Sequence, residues 1–118
     1  MSRPPKRHNQ LDQFNFHHTL AATPGLAVVF FTRPGCSACH YWKQLLAEWS
    51  LQRLDVRIFE VDAEQDSALI QEFDVFHLPA LYLYRDGGYV GAIHCEANKT
   101  ALDTTIAHLL SLPPQEAP

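Results

Sequence analysis

The chain has 118 residues, 47% hydrophobic and 19% charged, with a formal net charge of −4. That length suffices for one domain with a real core, and the composition is that of an ordinary globular chain. The negative charge argues against a dedicated nucleic-acid binder, and no apolar stretch approaches the roughly 20 residues that span a bilayer.

The amino terminus, Met1-Ser2-Arg3-Pro4-Pro5-Lys6-Arg7-His8, is basic and contains prolines. No adequate apolar segment follows it directly, so it does not read as a secretory signal. Residues 1–10 are expected to form a disordered tail. Leu11–Phe14 reads as a short edge strand, and Asn15 as the N-cap of a short helix running through Ala22. Phe16 and Leu20 stack at i,i+4 in that helix, which Thr23-Pro24-Gly25 ends.

Ala27 to Thr32 is unbroken apolar, β-branched and aromatic sequence that stops at Pro34-Gly35. This is the pattern of a strand buried on both faces. Beyond the breaker the period changes. Cys39, Trp42, Leu45, Leu46 and Trp49 recur at three- and four-residue spacing, which lines one side of a helix. Val56, Ile58 and Phe59 predict a third strand ending at Val61-Asp62, and Glu64–Phe73 reads as a short helix. Leu81 to Tyr84 alternates and pairs with Tyr89–Ile93 across Asp86-Gly87-Gly88 as a hairpin. Asn98 caps a last helix whose Leu102, Ile106, Leu109 and Leu110 share one face. Pro113-Pro114 stops it, leaving residues 113–118 as an expected tail and residues 11–112 as the domain. The order β-α-β-α-β-β-α, with parallel strands joined by helices, predicts an α/β fold: a central mixed sheet covered on both faces.

Cys36 falls where the buried strand ends and the helix begins, with Cys39 one turn further in. A helix start presents unpaired N–H groups and the positive end of the macrodipole, so a Cys36 thiolate is stabilised there. A drop in its pKa from about 8.5 to about 7 raises the thiolate fraction at neutral pH about fifteen-fold. Nucleophilicity falls with pKa and takes back about five-fold, leaving a gain of about three-fold. The larger effects are that Cys36 becomes a better leaving group and that Cys39 stands ready as an intramolecular resolving thiol. Three cysteines, two of them a close pair, do not make a disulfide framework, so a reducing, cytoplasmic setting is expected.

Other chemistries share these residues. Cys36-Ser37-Ala38-Cys39-His40 also spells C-x-x-C-H, the attachment pattern of a covalent c-type haem carrier. No methionine beyond Met1 is present to act as the usual second axial ligand. A zinc site needs four N/S ligands, with Cys95 and one histidine closing it, and the spacing gives that no support. An inert pair is the remaining alternative.

Strand, breaker and Cys-x-x-Cys at a helix start resemble the thioredoxin family. So does the downstream run Phe73-Asp74-Val75-Phe76-His77-Leu78-Pro79-Ala80-Leu81-Tyr82-Leu83-Tyr84-Arg85-Asp86-Gly87-Gly88, which is similar to that family's loop, cis-proline, strand and Gly turn. The resemblance covers roughly Leu11 to Leu112 and implies the thioredoxin fold. It implies thiol–disulfide exchange in which Cys36 attacks a protein disulfide and Cys39 resolves the mixed disulfide, with no cofactor. It implies a monomer recycled by a separate reductase or oxidase, acting on neither nucleic acid nor membrane. By the same resemblance Pro79 is cis and packs beside the pair, leaving the Leu78 backbone open to an extended peptide, a form of β-augmentation. Gly35, Ser37 and Ala38 would flank the substrate. Cys95 falls where the family has a glycine, in a loop beside the groove, and is expected to lie near the pair.

The departures from the family pattern are specific. Gly35 replaces a tryptophan, and Ser37-Ala38 replaces Gly-Pro. Phe30 stands where the family has a buried carboxylate, and Ile58 where it has a buried lysine. Cys39 thus loses its nearby proton acceptor; His40 is either a substitute base or an exposed surface histidine. The alternative function is an interaction or chaperone-like accessory module on the same fold, with little general reductase activity.

Overall fold

The protein, seen here as a computed structural model, is described over residues 10–118. The expected tail at residues 1–10 lies outside the described residues, apart from Gln10. In chain order the elements are β1 (Gln10–Leu11), α1 (Phe16–Ala21), β2 (Leu26–Thr32), α2 (Ser37–Ser50), β3 (Val56–Asp62), α3 (Ser67–Glu72), β4 (Ala80–Arg85), β5 (Gly88–Ile93) and α4 (Lys99–Ser111). The seven-element order read from the sequence begins at β2.

The five strands lie in the order β1-β3-β2-β4-β5. β2 runs parallel to β3, with Val28 opposite Ile58, and antiparallel to β4, with Val28 opposite Leu83. Its central place explains its composition, since every side chain from Ala27 to Thr32 is buried. Alternation sorts those side chains onto two faces. Val28 and Phe30 join Leu81 and Leu83 beneath Trp42, Leu46 and Trp49 of α2 and Leu102 and Ile106 of α4. Ala27, Val29 and Phe31 turn the other way, against Phe16 and Leu20 of α1 and Leu69 of α3.

Local chemistry sets where the elements start and stop. β1 is shorter than the expected Leu11–Phe14 because Asp12 opens a turn. Its carboxylate accepts from the N–H groups of Phe14 (2.8 Å) and Asn15 (2.9 Å). Asn15 occupies the N-cap of α1, but its side chain accepts from Asp12 N–H (2.8 Å) instead of capping the helix. α3 starts later than Glu64 because Asp62 Oδ1 holds the N–H groups of Glu64 (2.8 Å) and Gln65 (3.3 Å) in a turn. Asn98 does cap α4, accepting from Ala101 N–H at 2.8 Å.

Asp86 and Gly87 turn the β4–β5 hairpin with φ of 51° and 82°, the geometry that favours Asp-Gly in two-residue loops. The segment beyond α4, expected as a tail, lies along β5. Gln115 N–H donates to the Val90 carbonyl (2.8 Å), and its side-chain oxygen accepts from Ala92 N–H (3.2 Å). These bonds occupy part of an edge that would otherwise present unpaired backbone groups.

Candidate active site

β2 delivers the chain to Pro34-Gly35, and Gly35 turns it with φ of 77°. That is a left-handed conformation natural to glycine, and nothing lies within 4 Å of where a Cβ would stand. The turn accounts for glycine at a position where the family resemblance leads one to expect tryptophan. Cys36 follows in extended conformation as the N-cap of α2, its Sγ accepting from Cys39 N–H at 3.1 Å. The sulfur thus takes the role that a serine or aspartate oxygen plays at other helix starts.

Cys36 and Cys39 form a disulfide with Cα atoms 5.2 Å apart. Their surroundings differ. Cys36 is half-buried with Ser37 and Ala38 exposed beside it, whereas Cys39 is only 1% exposed and packs into the core under α2. Cys36 Sγ lies 4.0 Å from the Leu78 carbonyl oxygen, and the Leu78–Pro79 peptide is cis. Sequence positions 42 residues apart therefore meet at one spot. Leu78 is half-buried and packs against the apolar clusters on both faces of the sheet.

Cys95 joins Cys36 and Leu78 among the half-buried residues packed on the α2–α4 core. It is the free thiol among the described residues. Burial pushes its pKa up, partly opposed by a hydrogen bond from Thr105, while Glu96 adds a further upward push. Phe30 is buried in the same core as Cys39, and Ile58 is partly buried against it, so no charge occupies either position. His40 is exposed, with Nε2 3.5 Å from Gln44 Nε2. Among the described residues no group of three or more His, Cys, Asp or Glu side chains is placed to hold a metal ion.

Beside the pair opens a polar cleft of about 250 Å³, to which Cys36, Cys39, Lys43, Glu60 and Asp62 contribute walls. Lys43 Nζ stands 3.4 Å from Glu60 Oε1. Sequence reasoning passed over both residues. Glu60 was detectable, because strand alternation puts it on the same face as Val56 and Ile58. Nothing in the sequence matches it to Lys43, which looks like any exposed helix lysine.

The thioredoxin family model matches residues 7–108. The chain belongs to the thioredoxin family. Among curated relatives, it is 36% identical over 66 residues to thioredoxin domain-containing protein 2 of Mus musculus, covering 56% of this chain and 13% of that protein. It is 29% identical over 86 residues to mitochondrial thioredoxin-2 of Schizosaccharomyces pombe, covering 73% of this chain and 65% of the other. The H-type thioredoxin of Brassica oleracea is 34% identical over 62 residues, covering 52% of this chain and 50% of its own length. The chain thus spans less than two thirds of each of these relatives. The zinc-bound form of human ERp44 shares the fold, with a TM-score of 0.72 over 85% of this chain and 30% of that one, at 22% identity.

As a thioredoxin-family domain with a Cys-x-x-Cys pair at disulfide distance, the protein is equipped for thioredoxin-type redox chemistry. No described helix is long and apolar enough to cross a membrane.

Proposed function

We propose that the protein is a thiol–disulfide oxidoreductase in which Cys36 attacks a protein disulfide and Cys39 resolves the resulting mixed disulfide. The observation that carries this reading is the asymmetry of the pair: Cys36 is half-buried at the start of α2, and Cys39 is 1% exposed beneath it. An incoming sulfur reaches the first thiol, and the second is within bonding reach only of the first. Leu78, Pro79, Gly35, Ser37 and Ala38 border Cys36 in sequence or space and form the surface on which an extended peptide would lie. The reading needs no cofactor. It assigns a cytoplasmic monomer that a separate reductase or oxidase recycles.

Two measurements test it. Alkylation of the reduced protein near pH 7 should label Cys36 first, and labelling of Cys39 ahead of it would reverse the assignment. In a disulfide-reduction assay Cys36→Ser should abolish turnover, and Cys39→Ser should accumulate a covalent complex with substrate. Titration against a glutathione buffer then fixes the direction, since potentials among related dithiols run from about −270 to about −120 mV.

A second reading, a binding module with little reductase activity, is favoured by one feature. Phe76, two residues before Leu78, is 85% exposed and offers an apolar contact on the loop that leads to Leu78. Partner binding that survives Cys36→Ser, with no turnover by the wild type, would establish that module instead.

A further inference from the structure

Cys39 has a problem that its surroundings do not solve. To resolve a mixed disulfide it must lose a proton, yet it is buried among Phe30, Trp42 and Leu81, none of which can accept one. Cys39 also lines the polar cleft, which brings groups of another kind near it.

The groups facing that space divide cleanly. Arg33 from the loop after β2 and Lys43 from α2 are cations and accept no proton. Asp62 from β3 has one carboxylate oxygen committed to the N–H groups of Glu64 and Gln65. His40 is exposed and lies against Gln44. Gln10 of β1 does not titrate. Glu60 remains, its side chain 17% exposed. It is the register partner of Phe30, so its backbone lies one strand spacing away, about 4.8 Å. The carboxylate missing at Phe30 therefore has a counterpart displaced one strand sideways on the same face. Lys43 stands one helical turn after Cys39 and holds Glu60 at 3.4 Å.

We propose that Glu60, positioned by Lys43, accepts the proton that Cys39 loses when it resolves a mixed disulfide, through water held in the cleft. The cleft's 250 Å³ leaves room for several molecules at about 30 Å³ each. The proposal rests on the dithiol reading above. The Cys39 thiol passes its proton by way of water to the Glu60 carboxylate. The Cys39 thiolate then attacks Cys36 Sγ, forming the Cys36–Cys39 bond and breaking the bond from Cys36 to the substrate sulfur. The two electrons leave with the substrate as a thiolate, which takes a proton from solvent. The protein ends oxidised, and Glu60 returns its proton to solvent.

The test uses the reduced full chain in a Cys95→Ser background, mixed with one equivalent of an aromatic disulfide whose thiolate product is coloured. The first equivalent of colour reports attack by Cys36, and the second reports resolution by Cys39. Glu60→Gln should slow the second release at pH 7 about a hundred-fold and leave the first unchanged, with Glu60→Asp recovering part of the rate. Lys43→Met removes the group that holds Glu60 in place, so it should also slow the second release and leave the first unchanged, with Lys43→Arg recovering part of the rate. If Glu60→Gln disturbs folding, both phases are lost together, and the Lys43→Met and Lys43→Arg rates decide. An unchanged second phase in both the Glu60→Gln and Lys43→Met variants would overturn the proposal. So would a loss that follows His40→Gln instead. A wild type that never releases the second equivalent would overturn the dithiol reading itself, a result distinct from failure of the Glu60 route.

Discussion

The two faces of the sheet are built from different materials. Toward α1 and α3 the core is a mesh of rings: Phe16 meets Phe73 at 5.3 Å, Phe31 meets Tyr82 at 5.6 Å, and Tyr84 meets Tyr89 at 5.4 Å between centroids. Three of these contacts are near perpendicular, the edge-to-face arrangement that aromatic quadrupoles favour. Toward α2 and α4 the core is mostly aliphatic, with Trp42 and Trp49, and it contains Cys39. Polar groups reach that side at both ends. At one end Trp49 Nε1–H and Arg53 both donate to Asp103 at 2.8 Å, clamping α2 to α4. At the other end the cleft brings Glu60 and Lys43 to the cysteine pair. The ring face packs β2 against α1 and α3, and the other face carries the cysteine pair. The division has a cause: only α2 follows β2 directly, so only its side receives the turn that places Cys36 at a helix start.

The largest test of this division is Phe31→Ala. Removing a fully buried ring from the aromatic face should cost about 3–5 kcal/mol, a large share of the 5–15 kcal/mol typical of a domain. Urea unfolding would read this as a lower midpoint with little change in slope. The redox potential of the folded fraction should not move, because Phe31 points away from the pair. A shifted potential would mean that β2 couples the two faces.

Gly87→Ala tests the support of the ring face at its periphery. A Cβ there would come within 2.9 Å of Ala21 Cα and 3.0 Å of the carbonyl oxygens of Leu20 and Ala21. These are backbone atoms of α1 and its end, which cannot swing aside as a flexible side chain does. The backbone at φ of 82° also disfavours alanine. Overpacking of this kind costs about 1–3 kcal/mol. Thermal unfolding should register the loss, while the rate of attack by Cys36 on a small disulfide stays unchanged. A neutral effect on stability would show that α1 is free to shift and that the ring face is less tightly held than its contacts indicate.

Legibility in the sequence followed the range of the interactions. The apolar run of β2, the one-sided spacing of α2, the Asn98 cap and the Asp86-Gly87 turn are local signals, and the structure carries each of them. The start of α3 depended on which donors Asp62 would hold, and the fate of Asn15 on competition with Asp12 over a few residues. Such contests among short polar side chains leave the hydrophobic pattern unchanged, so periodicity does not resolve them. Gln115 against β5 and Lys43 against Glu60 are pairings across sequence gaps, between residues of ordinary surface type. The cysteine pair was legible from spacing alone. Its proximity to Leu78 followed only from family resemblance, because nothing in residues 36 and 78 themselves requires them to meet.

The smallest effects should appear at alkaline pH, where the two faces lose stability in sequence. Burial raises the pKa of Cys95 on the thiol side, and it raises that of Tyr84 on the ring side far more strongly. Both groups are neutral when protonated, so each contributes stability that is complete below its unfolded pKa. That contribution declines as pH rises toward the folded value, because the unfolded chain releases the proton first. The loss should begin near pH 8.5 for the thiol and near pH 10 for the tyrosine, the ordinary values of the exposed groups. Melting temperature measured from pH 7 to pH 11 should therefore fall in two steps. Cys95→Ser should flatten the first step and leave the second, whereas Tyr84→Phe should leave the first and shrink the second, the remainder belonging to Tyr82 and Tyr89, whose pKa values burial also raises. A single step removed by neither variant would place the alkaline weakness elsewhere and remove titration as a difference between the faces. If Cys95→Ser instead flattens both steps, the loop carrying Cys95 must open before the ring face does, and the thiol side would be the first part of the domain to unfold.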